Sequence, residues 1–234
     1  MENWKLLLGV IGGTLALVFG VSVLFSGEQE VKLLDQELVV GDARNVRYGG
    51  VVESDEATGS GRVTESEESS GSAVSEVVVT IVEFSDFQCP ACRSASGLVE
   101  QVVEQGEGKV RLVYRHFPLE GLHENAFRAA EASEVMADNG MFWEFHDMLF
   151  EKQDEWAEEE DVDGILASYA GELGVDEQKF FEGFDSSEVE KRVRDDYNAG
   201  LRVGVNATPT FVVNGEAVGA NRLQATVVSK LSGE

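Results

Sequence analysis

The stretch VVVTIVEFSDFQCPAC, Val77 to Cys92, constrains the fold more than any other part of the chain. Its first eight residues, Val77 to Phe84, form a β-branched run that suits a strand buried on both faces, as in a sheet covered by helices. A helix follows almost at once. Ala91, Ala95, Leu98, Val99, Val102 and Val103 recur at helical spacing, and Gly106 and Gly108 end the element. Lys109 to Phe117 reads as a second strand, which makes a βαβ unit with a right-handed crossover. At the join, a cysteine immediately before a proline places Cys89 at the N-cap and Pro90 at the first helical position.

The same join concentrates the chemistry. Free amide N–H groups at the helix start, together with the positive end of the helix dipole, favour the thiolate of Cys89 over its thiol. Cys92 lies about one helical turn on, near enough for a disulfide, and its more buried sulfur suits a resolving thiol. Stabilising the reduced thiolate makes the Cys89–Cys92 disulfide a better oxidant. Pro90 and Ala91 bring no charged or imidazole group between the cysteines, so the expected oxidant is weaker than one with histidine there. These are the chain's two cysteines, which excludes a multi-bridge scaffold and a four-cysteine zinc site. A site of two cysteines plus one of His116, His123 or His146 stays open as an alternative, although the histidines fall in different elements.

The rest of the chain frames this unit. The formal charge is −26, so nucleic acid is a poor partner. The acidic composition resembles that of a salt-adapted protein. Leu6 to Phe25 is an uncharged run of about 30 Å as a helix, which predicts a membrane anchor over residues 6–26. Lys5 beside it and Glu28 and Glu30 beyond it put residues 1–5 in the cytoplasm and the remainder outside. Residues 27–76, with twelve acids against four bases and many Ser and Gly, read as a flexible acidic linker. As free coil it would reach about 40 Å.

Beyond the βαβ unit, the pattern is helical between Gly121 and Gly204, in four or five segments, the last opened by a capping box from Ser187 to Glu190. Thr210–Val213 and Glu216–Val218 then flank Asn214-Gly215, the signature of a two-residue type I′ hairpin. Leu223, Val227 and Leu231 mark a closing helix. The order β-α-β, helical block, β-β-α predicts an α/β fold with helices on both faces of a small mixed sheet.

Four segments, IVEFSDFQCPAC, RHFPLEGLHENAFRAAEA, GMFWEFHDMLF and GVNATPTFVVNG, resemble the DsbA family of thioredoxin-fold disulfide oxidoreductases, in matching order over residues 77–234. The resemblance implies a thioredoxin-like fold with an all-helical insertion over about 121–198. It also implies that Cys89 is the exposed nucleophile and Cys92 the resolving sulfur, with no cofactor beyond their redox-active disulfide. Glu83 matches the buried carboxylate that helps move the Cys92 proton. Thr208 and Pro209 match the cis-proline loop that lies against the sulfurs and receives substrate backbone, beside Pro90 and Ala91. Phe87 is a candidate substrate contact among aromatics that could line a groove. The implied partners are exported proteins with cysteine thiols or disulfides, and a membrane redox partner, either a quinone-linked oxidase or an electron donor. Oxidase stands against reductase or isomerase, with a metal-binding or chaperone domain as the third reading.

Overall fold

A computed structural model describes residues 45–48 and 77–233. Its sheet has five strands: β1 (Val46–Tyr48), β2 (Val79–Ser85), β3 (Val110–His116), β4 (Thr210–Val213) and β5 (Glu216–Val218). Their spatial order is β1-β3-β2-β4-β5, parallel between β2 and β3 and antiparallel elsewhere. β2 is therefore central, and its residues from Ile81 to Ser85 are all buried, as its unbroken apolar run requires.

Eight helices occur among the described residues: α1 (Pro90–Gln105), α2 (Ala126–Asp138), α3 (Phe142–Glu151), α4 (Gln153–Trp156), α5 (Val162–Glu172), α6 (Glu177–Phe184), α7 (Ser187–Arg202) and α8 (Ala220–Ser232). α1 and α8 cover one face, where Ala95, Val99, Val103, Leu223 and Val227 meet Val79, Ile81, Val110 and Phe211. α7 covers the other. Its Gly200 comes so close to Phe117 that an added Cβ would sit 2.6 Å from that ring, so glycine is needed there for contact rather than flexibility. Phe117 in turn stacks on Tyr197 and meets Phe84 edge-on. The inserted helices form a second apolar cluster around Phe145, Leu149, Trp156, Leu166 and Phe180, continuous with Cys92, Phe87 and Tyr114.

The hairpin is as its sequence demands, with φ of 47° at Asn214 and 83° at Gly215. Three expectations need correction. The 27–76 linker is not flexible coil throughout, because residues 46–48 pair with β3 as an edge strand. Long-range contacts hold it: Asn45 bonds Glu134, Arg47 bonds Asp147, and the Trp143 indole donates to the Val46 carbonyl. The insertion runs past the Asn198 bound that the resemblance implied, since α7 continues to Arg202 and stops where Gly204 takes a φ of 84°, as the helical pattern up to Gly204 reads. The cap of α7 is Ser186, whose hydroxyl accepts from the Val189 N–H, one position before the expected capping box. The candidate membrane anchor, residues 6–26, lies outside the described residues. Among the described residues no helix is long and apolar enough to cross a membrane.

Candidate active site

β2 delivers the site. Its register sets Glu83 beside Tyr114 of β3 and Phe211 of β4, and its last residues feed a tight loop into α1. Asp86 ties that loop: its carboxylate accepts from the N–H groups of Gln88 and Leu119 and contacts His123 Nδ1 at 2.7 Å, while its carbonyl accepts from the Cys89 N–H. Gln153, 64 residues on, donates from Nε2 to the carbonyls of Phe87 and Cys89. The insertion thus buttresses the cysteine loop directly.

Cys89 is the N-cap of α1, in extended conformation, and Pro90 opens the helix. Both cysteines are free thiols. Cys92 is fully buried and Cys89 retains 7% of its surface, so Cys89 is more recessed than the expected exposed nucleophile. The Thr208 carbonyl lies over it, accepting from the Cys89 thiol at 3.6 Å. Pro90 and Ala91 are exposed beside it, Thr208 and Pro209 are half-buried, and the Thr208–Pro209 peptide is cis.

The two sulfurs are held in opposite states. Cys89 is lowered to about 5, chiefly by a hydrogen bond from the Cys92 thiol, against the opposing effect of burial. The Thr208 side chain and the backbone N–H groups of Cys92 and Ala91 add to the lowering. The neighbouring sulfur outweighs the helix-start amides on which the sequence argument rested. Cys92 is pushed far up, first by burial and then by its bond to Cys89. One thiolate and one thiol thus share a proton-bearing contact.

Glu83 is buried, and desolvation raises it to about 7 against a lowering by Ser85. It also borders a cavity of about 460 Å³, whose walls include Arg47, Arg93, Ser96, His146 and Asp147. Phe87 is a correction. Its ring is 1% exposed, stacked on Tyr114 at 5.1 Å and in contact with Phe150 and His146, so it belongs to the core and cannot receive substrate. Phe84, Phe142 and Phe145 are likewise buried. The three histidines pair with carboxylates, His116 with Glu134, His123 with Asp86 and His146 with Asp147, and no cluster of three or more metal-ligating side chains occurs among the described residues.

Sequence reasoning missed Asp86, Gln153, Ser85 and Tyr114. Asp86 had a local signal, an acid two residues before the Gln88 N–H that it binds, as Asx turns require. Gln153 had none, because its partners are distant in sequence.

The family model described as thioredoxin matches residues 72–231, well over half of the chain. The chain belongs to the thioredoxin family. The DsbA-like resemblance drawn from the four motifs stands with it. BdbD from Bacillus subtilis, in its oxidised form, is 26% identical, with a TM-score of 0.59 over 67% of this chain and 89% of that one. A thioredoxin-like oxidoreductase from Silicibacter pomeroyi is 29% identical, with a TM-score of 0.56 over 68% and 89%. Among curated proteins, the Na+/H+ antiporter NhaA 3 of Salinispora tropica is 39% identical over 140 residues, which is 60% of this chain and 21% of the antiporter. The chain spans about a fifth of the length of such curated relatives.

Proposed function

We propose that this thioredoxin-family protein is an extracytoplasmic thiol:disulfide oxidoreductase, anchored by residues 6–26, that introduces disulfides into exported proteins through Cys89 and Cys92. The observation that carries the reading is the asymmetry of the two sulfurs, Cys89 capping the start of α1 under the Thr208 carbonyl with its thiol acidity strengthened, and Cys92 fully buried one turn on with its thiol pushed up. A thiolate so stabilised is a good leaving group and a stable reduced product, which favours oxidation of a partner. BdbD and the Silicibacter oxidoreductase have the same fold and support disulfide exchange. The match to part of an antiporter supports a place beside the membrane.

In this reading a substrate thiolate attacks Cys89 Sγ of the oxidised pair, the Cys89–Cys92 bond breaks and Cys92 leaves with the electron pair. A second substrate thiolate then attacks the substrate sulfur of the mixed disulfide and expels the Cys89 thiolate. Thr208 and Pro209, beside Cys89, present backbone to the visiting chain, with Pro90 and Ala91 on the other side. Glu83 serves the Cys92 proton. A membrane oxidase of quinone-linked chemistry restores the disulfide. Replacing Cys89 with Ser should abolish exchange with a model disulfide, and Cys92→Ser should accumulate mixed disulfides. An equilibrium potential against glutathione at or below about −270 mV would assign a reductant instead.

A further inference from the structure

Three polar groups near the buried Cys92 sulfur have no hydrogen-bond partner. Glu83 Oε1, Ser85 Oγ and Tyr114 OH are all sealed from solvent and unpaired. They share one face of the sheet: Glu83 and Ser85 are two residues apart in β2, and Glu83 stands opposite Tyr114 across the parallel ladder. Orphaned buried polar atoms are costly, so three together in one place call for a use.

Ser85 is the member common to the others. After burial, the largest influences on the Cys92 thiol are Cys89 and Ser85, and Ser85 is what acts against burial on Glu83. Tyr114 feels Glu83 and Cys92 through their charges, and the Ser85 hydroxyl beside it acts the other way. A serine hydroxyl donates one proton, accepts through two lone pairs and rotates to suit. None of its contacts is closed into hydrogen-bond geometry in this reduced state, so the hydroxyl can turn to either side.

We propose that the Ser85 hydroxyl is the relay through which Cys92 and Glu83 exchange a proton during disulfide exchange. The proposal rests on the oxidoreductase reading above. When substrate thiolate bonds to Cys89 and Cys92 departs as thiolate, the Ser85 O–H gives its proton to Cys92 Sγ and takes the Glu83 carboxyl proton in the same movement. Serine ends unchanged, Cys92 is a neutral thiol and Glu83 is a carboxylate. In reoxidation the proton travels the other way.

The test is single-turnover reaction of the oxidised full-length protein with a cysteine-containing model peptide, quenched in acid, in ordinary and deuterated water. Ser85→Ala should slow expulsion of Cys92 by on the order of a hundredfold or more, as loss of general acid catalysis does, and should remove the wild-type solvent isotope effect. Ser85→Thr should restore both. Cys89 alkylation in the reduced Ser85→Ala protein should keep its wild-type rate, since that step needs no proton from Ser85. A Ser85→Ala protein with wild-type expulsion and isotope effect overturns the relay. A loss mirrored in Cys89 alkylation and unrepaired by Thr assigns Ser85 a packing role and overturns it too. Failure of the wild-type protein to exchange at all would instead overturn the oxidoreductase reading.

Discussion

Of the carboxylates buried among the described residues, Glu83 lies beneath the cysteines and Glu134 where the sheet meets the insertion, and their chemistry is opposite. Glu83 has an orphaned oxygen and rises to about 7, because desolvation has little to oppose it. Glu134 is also desolvated, yet it falls to about 2, because His116, Asn45 and Arg192 all bond it. Burial alone does not decide what a buried acid does. Its partners decide whether it is a structural anion or a proton store.

Removing the anchor should produce the largest effect. Glu134→Ala leaves Arg192 and His116 facing an empty buried site and should cost about 3–5 kcal/mol in urea denaturation. The folded value of Glu134 is below the unfolded one, so its stabilisation is present in full above about pH 4.5. It should fade as pH falls toward 2. A Glu134→Ala protein as stable as wild type at pH 7 would break the comparison.

Glu83 carries the opposite sign. Its folded value exceeds its unfolded one, so the unfolded chain loses the proton first and stability falls as pH rises from about 4.5 to 7. Glu83→Gln should therefore stabilise the protein by up to roughly 3 kcal/mol at pH 8, and by close to nothing at pH 4. Equal stabilisation at both pH values, seen by thermal melting, would show that ionisation is not the cause.

Asn45→Ala removes one hydrogen bond from the Glu134 anion and should cost about 2 kcal/mol. Limited proteolysis should then cut near β1 sooner. Tyr114→Phe should have the smallest effect, within about 1 kcal/mol, since it deletes a hydroxyl with no partner. A large loss there would mean that the phenol is not an orphan in solution.

The sequence showed these regions unequally. The cysteine loop, the βαβ unit and the hairpin were legible because their signals are local: a β-branched run, Cys-Pro at a helix start, Asn-Gly between apolar pairs. Glu83 came through family resemblance, and its burial follows from the central position of β2. Phe87 was misread because an aromatic two residues before a reactive cysteine says nothing about which way its ring turns. β1 was missed because three residues in an acidic stretch carry no periodicity. Their order comes from Glu134, Asp147 and Trp143, roughly a hundred residues away in sequence. The Glu134 cluster was invisible for the same reason.

The edge strand has a practical consequence for anyone trimming this protein. A fragment starting at Val77 would retain both sulfurs and all but the first five residues of the family match, yet it would uncover the outer rim of β3. An uncovered rim is a template for unwanted pairing between copies. Such a fragment would also lose the Asn45 and Arg47 side chains, so clumping in a shortened preparation would report the missing strand and not a fault in the catalytic unit.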